Sequence, residues 1–152
     1  MINIHEGGLE DEQVLALLSY HFKKCHEVTP VGSAHVFDVT KLQDPSVHFY
    51  SAWLDGVLLG VGAFKVIEPG HGEVKSMHTS EDARRKGVGG ALVDHIIREA
   101  KAQGLKRLSL ETGSFEFFKP AVALYRKHGF EFCGPIRGYK ADASSVFLTR
   151  EI

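Results

Sequence analysis

Hydrophobic positions recur at helical spacing in three long segments of the chain. The segments predicted as helices are Glu10–Cys25, Gly87–Gln103 and Pro120–His128. Gly104 and Gly129 follow the second and third segments, and glycine is a common residue just after a helix end. A shorter apolar run, Val36–Leu42, predicts a fourth and much shorter helix.

Runs rich in β-branched and aromatic residues predict strands around and between these helices. The predicted strands are Ile2–Ile4, Val47–Leu54, Val57–Ile67, Glu73–Thr79, Leu105–Leu110, Phe130–Cys133 and Val146–Arg150. The pair Asp55-Gly56 is a strong hairpin signal, so the strands between Val47 and Thr79 form an antiparallel meander. The strand, helix and strand from Glu73 to Leu110 predict a parallel pair.

This order of elements predicts a mixed α/β fold, with one sheet of roughly six or seven strands and helices on both faces. A length of 152 residues, with 43% apolar and 24% charged residues, fits a single globular domain spanning residues 1–152. The net charge of −1 argues against a nucleic-acid-binding protein. No apolar stretch approaches the roughly 18 residues of a membrane span.

The two cysteines, Cys25 and Cys133, are too few for a disulfide framework and suggest a reducing compartment. The N-terminal segment lacks the basic and apolar layout of a signal peptide. Both observations favour a cytoplasmic protein. His21 and Cys25 stand four residues apart on a predicted helix, but no second pair stands at metal-ligand spacing, so no metal is expected.

The segment that carries the chemistry is Arg84-Arg85-Lys86-Gly87-Val88-Gly89-Gly90, between the strand that ends at Thr79 and the longest helix. Glycine lets the backbone approach a ligand closely. Free amides and the helix dipole at a helix start favour an anion, and three cations precede the glycines. A pyrophosphate group fits such a site.

The glycine spacing excludes two common phosphate-binding motifs. The Walker A pattern, with its Gly-Lys-Ser/Thr ending, is absent. The dinucleotide fingerprint needs a third glycine or alanine where this chain has Leu92. What remains is Arg-x-x-Gly-x-Gly, with Arg84, Gly87 and Gly89 in the fixed places.

Here the sequence resembles the GNAT superfamily of acyl-CoA N-acyltransferases, whose cofactor signature is Gln/Arg-x-x-Gly-x-Gly/Ala at a strand-to-helix junction. The segment Ala121–Phe130 matches a second family pattern, Ala-x-x-Leu-Tyr-x-x-x-Gly-Phe. The resemblance runs from about Val47 to the C-terminal end, in a fold with one parallel, splayed pair of strands. The stretches Lys75-Ser-Met-His-Thr, Leu110-Glu-Thr-Gly and Ser145-Val-Phe-Leu are similar to a bacterial subgroup of acetyltransferases assigned by analogy.

The resemblance implies acetyl-CoA as cosubstrate and assigns its binding residues. The amides expected to hold the pyrophosphate are those of Arg85, Lys86, Gly87, Val88, Gly89 and Gly90, with Arg84 bracing the loop. The main chain of Met77 and Thr79 is expected to bind the pantetheine arm between the splayed strands. The Met77 amide would also hold the oxyanion. Many family members carry Asn where this chain has Phe118, so apolar packing is expected to replace a side-chain hydrogen bond there.

The resemblance also implies that the Tyr125 hydroxyl protonates the departing thiolate; packing on the sheet is the simpler alternative. An alkylamine is protonated at neutral pH, so a base or a water relay is expected. Glu73 is the first candidate, because alternation would place it on one face with Lys75, Met77 and Thr79. The competing interpretation is an exposed carboxylate paired with Lys75. His71 and Glu111 are weaker alternatives.

The sequence therefore predicts an N-acetyltransferase that moves an acetyl group to a primary amine by direct attack in a ternary complex. The acceptor, a small molecule or a peptide, is not identified, and neither nucleic acid nor membrane is expected as a partner. Dimers are common in such folds, so a homodimer remains an option. One rival is a non-catalytic CoA-binding sensor of the same fold, and another is a nucleotide-binding module of a different fold.

Overall fold

The computed structural model describes residues 2–28, 39–83, 86–114, 116–136 and 138–152. The strands are β1 (Asn3–Glu6), β2 (Val47–Leu54), β3 (Val57–Glu68), β4 (His71–Thr79), β5 (Arg107–Gly113), β6 (Glu131–Cys133) and β7 (Ser145–Glu151). The α-helices are α1 (Glu12–Val28), α2 (Val39–Leu42), α3 (Val88–Ala102) and α4 (Lys119–Lys127). Two short 3₁₀ turns, Glu81–Ala83 and Glu116–Phe118, precede α3 and α4.

The strands form one seven-stranded sheet in the order β1-β2-β3-β4-β5-β7-β6. The β4–β5 pair is parallel, whereas the other neighbouring pairs of this sheet are antiparallel. The predicted mixed sheet, its antiparallel first half and its parallel central pair are therefore confirmed. The C-terminal strand β7 lies between β5 and β6, a position that sequence order alone does not indicate.

Two tight turns explain the meander of β2, β3 and β4. Asp55 and Gly56 join β2 to β3 with φ values of 50° and 78°, the left-handed pair that a two-residue hairpin favours. Gly70, with φ of 77°, ends the turn between β3 and β4. Because Glu68 pairs directly with His71, β4 begins two residues before the predicted Glu73.

The helix boundaries differ from the predicted ones by a few residues. The first helix extends to Val28 rather than Cys25, and β5 starts at Arg107 because the two preceding residues form the connection from α3. The predicted start of the second helix, residues 36–38, lies outside the described residues. None of the helices in the described ranges has both the length and the apolar character needed to cross a membrane.

Buried side chains lie on both faces of the sheet, which confirms helices on both faces. The larger cluster packs α3 and α4 against the sheet, and it contains Phe64, Val74, Leu92, Leu108, Tyr125 and Leu148, among others. The smaller cluster packs α1 and α2 against the opposite face through residues that include Val14, Leu18, Leu42, Phe49, Val61 and Ala63. Fully burying one such aliphatic side chain contributes about 1.5–3 kcal/mol.

A β-bulge interrupts β4 in its second half. Val61 pairs with His78 and Ala63 pairs with Lys75, so two residues of β4 stand opposite Gly62 alone. Ser76 takes φ of 56°. At Gly62 a Cβ would lie 2.4 Å from the Met77 sulfur, so a larger residue there would have to displace the Met77 side chain.

The bulge changes which face the β4 side chains occupy. Lys75 stands opposite Ala63, which belongs to the cluster under α1. Met77 packs into the opposite cluster, under α3. The prediction that Glu73, Lys75, Met77 and Thr79 share one face is therefore wrong, because strict alternation does not survive an inserted residue.

Helix α1 contacts β4 through a pair of histidines. The Nδ1 atoms of His21 and His78 lie 2.9 Å apart, so one ring donates a hydrogen bond and the other accepts it. The neighbouring Tyr20 hydroxyl donates a hydrogen bond to Glu81. Burial lowers the pKa of His21 to about 4, so the folded protein favours the neutral imidazole.

This lowered pKa predicts that the folded protein loses stability in mild acid. The unfolded chain binds a proton at His21 near pH 6.5, whereas the folded chain does so only near pH 4. The free energy of unfolding should fall by on the order of 1–3 kcal/mol as the pH drops from about 6.5 to 4. Urea unfolding across this range measures the slope. The slope should decrease in His21→Gln and persist in the exposed control His5→Gln. An unchanged slope in His21→Gln would contradict this assignment.

Candidate active site

The parallel strands β4 and β5 separate partway along their length. Their paired residues run from His71 with Arg107 to Val74 with Leu110. Both strands continue, β4 to Thr79 and β5 to Gly113, but the structure pairs none of these later residues across the two strands. A bulged strand bends and twists more strongly, and the bulge at Ser76 accounts for the divergence. The result is a gap in the middle of the sheet.

Main-chain groups of β4 point into this gap. The Ser80 amide donates to the Leu59 carbonyl of β3 at 2.9 Å. Amides two residues apart in a strand point to the same edge, so the His78 amide also faces β3. The amides of Met77 and Thr79 then face the opposite edge, toward β5. This is the main chain that the family resemblance assigns to the pantetheine arm.

The predicted anion site lies at the start of α3. Gly87 precedes the helix with φ of 78°, a left-handed conformation that glycine adopts without strain. The first intrahelical bond runs from the Ala91 amide to the Gly87 carbonyl, at 3.0 Å. The amides of Val88, Gly89 and Gly90 therefore have no partner one turn earlier in the helix.

Lys86 is the described residue directly before Gly87. The Lys86 amide donates to the Ala83 carbonyl at 3.3 Å, so its main chain already takes part in a turn. The Lys86 side chain is exposed beside the helix start. Arg84 and Arg85, which are assigned to the same site, lie outside the described residues.

Gly89 and Gly90 allow α3 and α4 to approach closely. A Cβ at Gly89 would lie 2.9 Å from the Leu124 side chain, and one at Gly90 would lie 3.3 Å from the His128 ring. Leu124 lies in α4, and His128 directly follows the last residue of that helix. The glycines of the motif thus bring the helix that carries Tyr125 against the predicted pyrophosphate site, in addition to exposing amides.

Tyr125 lies in the core between α4 and the sheet. Its residue exposure is 5%, and its ring meets Phe130 edge-on at 5.8 Å between centroids. The side chain makes no hydrogen bond within the described part of the chain. Burial raises the pKa of Tyr125 well above its ordinary value, so the hydroxyl keeps its proton at neutral pH. This packing is compatible with a role as proton donor.

Phe118 covers the end of β5. A Cβ at Gly113 would lie 2.0 Å from the Phe118 ring, so the ring rests directly on the glycine backbone. Phe118 is also the residue directly before α4. An apolar ring thus packs on the end of β5, where the family pattern has an amide side chain.

Glu73 is buried on the face of the sheet that α1 covers. Its Oε2 accepts a hydrogen bond from the Lys75 ammonium at 2.8 Å and from the Tyr139 hydroxyl at 2.6 Å. The Lys75 ammonium also donates to the Tyr139 oxygen at 3.0 Å. The pairing with Lys75 is as expected, but the interpretation as an exposed carboxylate is wrong, since Glu73 is 5% exposed.

Glu111 joins this group from β5. It is the first residue beyond the last β4–β5 pair, and its Oε2 accepts a hydrogen bond from the Ser145 hydroxyl at 2.7 Å. Burial raises the pKa of Glu111 to about 7, against the opposing effects of Ser145 and Lys75. Burial also lowers the pKa of Lys75. We call Glu73, Lys75, Glu111, Tyr139 and Ser145 the polar cluster.

Sequence reasoning did not identify Tyr139 or Ser145 as site residues. Tyr139 lies in the irregular segment between β6 and β7, where no periodicity constrains a side chain. Its ring packs edge-on against Phe147 of β7 at 5.7 Å. Only the insertion of β7 beside β5 brings these residues to the gap.

His71, the other weak candidate base, lies at the closed end of the strand pair. Its Nε2 is 2.7 Å from the Ser109 hydroxyl and its Nδ1 is 3.0 Å from Glu68. Both ring nitrogens therefore already have partners away from the gap. Within the described ranges, no group of three or more histidine, cysteine, aspartate or glutamate side chains could hold a metal ion.

Comparison with solved structures identifies the class of fold. A candidate acyl-CoA N-acyltransferase from Klebsiella pneumoniae superposes with a TM-score of 0.81 at 23% identity, covering 99% of this chain and 97% of that one. The PaiA N-acetyltransferase from Thermoplasma acidophilum was solved in complex with coenzyme A. It superposes with a TM-score of 0.77 at 16% identity, covering 100% of this chain and 99% of that one. The fold is that of the acyl-CoA N-acyltransferases.

Sequence comparison then assigns the family. The model of the Acetyltransferase (GNAT) family matches residues 14–130. The uncharacterised N-acetyltransferase YsnE from Bacillus subtilis is 42% identical over 151 residues, which are 99% of this chain and 100% of YsnE. The chain belongs to the GNAT acetyltransferase family.

The contact between Gly113 and Phe118 gives a stability prediction. Gly113→Ala should displace the Phe118 ring and lower the free energy of unfolding by about 1–3 kcal/mol. In a Phe118→Ala background the same change should cost about 0.5–3 kcal/mol less, because the clashing ring is gone. Urea unfolding of the four proteins measures this coupling.

Gly134→Ala is the matched control, since a Cβ there meets nothing within 4 Å. It should leave stability nearly unchanged. Additive effects of Gly113→Ala and Phe118→Ala would show that the two residues do not contact each other.

Proposed function

We propose that the protein is an N-acetyltransferase that transfers an acetyl group from acetyl-CoA to a primary amine within a ternary complex. The observation that carries this proposal is the gap between β4 and β5, which opens beyond Val74 and Leu110. A glycine turn at the start of α3 follows the same strand. Together they offer a strand-like slot for an extended arm and amides for a phosphate.

The residues present fit acetyl-CoA. The pantetheine arm would lie along β4 and use the main chain of Met77 and Thr79. The pyrophosphate would rest on the amides of Gly87–Gly90, where the helix dipole favours negative charge. Lys86 would add a cation at this end, and Arg84 and Arg85 are assigned there by the family motif.

The transfer needs a donor for the oxyanion, a proton donor for the thiolate and a base for the amine. The neutral amine attacks the thioester carbon, and the Met77 amide would stabilise the oxyanion that forms. As the carbon–nitrogen bond forms, the carbon–sulfur bond breaks, and the Tyr125 hydroxyl would protonate the departing thiolate. The polar cluster supplies the carboxylates that could deprotonate the amine, with Glu73 as the candidate from the sequence.

The relatives support this proposal at the level of reaction class. YsnE is named an N-acetyltransferase, and the neighbour from Thermoplasma acidophilum was solved with coenzyme A. The acceptor is proposed to be a small-molecule or peptide amine, and the compartment the cytoplasm. A homodimer is compatible with the fold.

Binding of acetyl-CoA tests the proposed cosubstrate site. Isothermal titration should give micromolar affinity for the wild type, and Lys86→Ala should weaken it about tenfold, equivalent to about 1.4 kcal/mol. The exposed Lys23 on α1 provides a control, and Lys23→Ala should bind as the wild type does. Failure of the wild type to bind either acetyl-CoA or CoA would rule out this function.

Turnover tests the role of Tyr125. Tyr125→Phe should lower kcat about 100-fold while leaving acetyl-CoA affinity unchanged, because the ring packing is retained and only the proton donor is lost. Release of CoA in the presence of a library of primary amines measures this rate. An unchanged kcat would show that Tyr125 contributes packing alone. Tight binding of acetyl-CoA without turnover of any amine would favour a non-catalytic CoA-binding sensor of the same fold.

A further inference from the structure

The Glu73 carboxylate already has two hydrogen-bond donors. One of its oxygens already accepts from both Lys75 and Tyr139. The Tyr139 hydroxyl donates its one proton there, and the Glu73 charge helps to raise the pKa of Tyr139. Protonating Glu73 would weaken the ion pair of an ammonium whose side chain is only 8% exposed. A buried charge that loses its partner is costly, so this ion pair fixes the positions of both side chains.

Glu111 has a different environment at the same opening. It stands opposite Phe147 of β7 and two residues beyond Ser109, and Ser109 pairs with Glu73 across the two parallel strands. Glu111 therefore shares the face of Glu73 but lies where the strands have begun to separate. Within the described part of the chain, its side chain has one hydrogen bond, from Ser145, and no salt bridge.

We propose that Glu111 is the residue that takes the proton from the acceptor, that the acceptor enters as an alkylammonium ion, and that Glu73, Lys75 and Tyr139 position the site without taking the proton. This proposal rests on the acetyltransferase function proposed above and specifies its base and its substrate class. Tyr139 is a positioning residue, because its hydroxyl acts through Glu73 and Lys75.

The charges of the polar cluster favour a cation. With Glu111 ionised, two carboxylates face one ammonium, so the cluster has a net charge of about −1. An alkylammonium ion balances this charge on binding. The rings of Tyr139 and Phe147, which meet edge-on, lie beside the two carboxylates. An acceptor without a basic nitrogen would leave the charge of Glu111 uncompensated.

Each proton of the reacting ammonium group has a defined destination. The ammonium gives one proton to the Glu111 carboxylate, and the neutral nitrogen then forms its bond to the acetyl carbon. The thiolate leaves with a proton from Tyr125. The nitrogen loses its second proton as the amide forms, and this proton restores Tyr125. Glu111 finally releases its proton to solvent, so one proton is released for each acetyl group transferred.

The groups that face Glu111 determine its titration. They are Lys75 and Glu73 from β4, Asp142 from the loop before β7, and the Ser145 hydroxyl of β7. Burial is the largest effect and raises the pKa of Glu111 to about 7, where a general base works well at neutral pH. Activity should therefore rise with pH through about 7 as Glu111 ionises.

The proton state of Glu111 can be tested without knowing the acceptor. In protein labelled with ¹³C at the glutamate carboxyl carbons, NMR titration should show one resonance with a midpoint near pH 7. That resonance should disappear in Glu111→Gln and remain in Tyr139→Phe, in Glu73→Gln and in Glu131→Gln, an exposed control on β6. Circular dichroism checks that each variant is folded. Loss of the resonance in Glu73→Gln but not in Glu111→Gln would overturn the assignment, as would the lack of any carboxylate titrating above about pH 6.

The acceptor class is tested with two simple amines at neutral pH. Ethylamine is an ammonium ion there, whereas trifluoroethylamine is largely neutral and needs no base to attack. Glu111→Gln should lower kcat/KM for ethylamine by about 100-fold or more and change the value for trifluoroethylamine only a few-fold.

An equal loss for both amines would contradict the role of Glu111 as proton acceptor. A wild type that binds acetyl-CoA but acetylates neither amine would overturn the alkylammonium class alone. A wild type that does not bind acetyl-CoA would instead overturn the function on which this inference rests, so the two failures are distinguishable.

Discussion

The separation of β4 from β5 beyond Val74 and Leu110 is the feature on which the rest of the site depends. A continuous parallel ladder would consume the main-chain groups of Met77 and Thr79 and close the sheet. One inserted residue, with Ser76 at positive φ, bends β4 away and leaves those groups facing a gap. Unpaired strand edges attract another extended chain, and here the proposed occupant is the pantetheine arm.

The same bulge places Met77 and Lys75 on opposite faces of the sheet. Met77 packs on the face of the sheet that α3 and α4 cover. The glycine turn directly precedes α3, and Tyr125 lies in α4. Lys75 remains on the face that α1 covers, beside Glu73 and Tyr139. The proposed cosubstrate and acceptor can therefore approach the gap from opposite sides. The arrangement keeps the buried carboxylates away from the proposed phosphate site at the start of α3, which would avoid repulsion between like charges.

Sequence patterns predicted the elements well, because hairpin turns such as Asp55-Gly56 and the helical stripe of α3 are determined locally. They also singled out Gly87 and Tyr125 as candidates, since both belong to motifs with fixed spacing. The side-chain directions along β4 could not be predicted, because the inserted residue is visible only in the pairing of β4 with β3. Glu73, Lys75 and Glu111 were named from the sequence, but Tyr139 was not, since it reaches Glu73 across 66 residues of sequence.

The gap itself can be examined by amide hydrogen exchange, residue by residue, with and without CoA. If the pantetheine arm pairs with β4, the amides of Met77 and Thr79 should exchange much more slowly when CoA is bound. The Val74 amide, in the closed part of the strand pair, should exchange at the same rate in both states. Binding of CoA without added protection at Met77 and Thr79 would contradict the claim that the gap between β4 and β5 is the cosubstrate site.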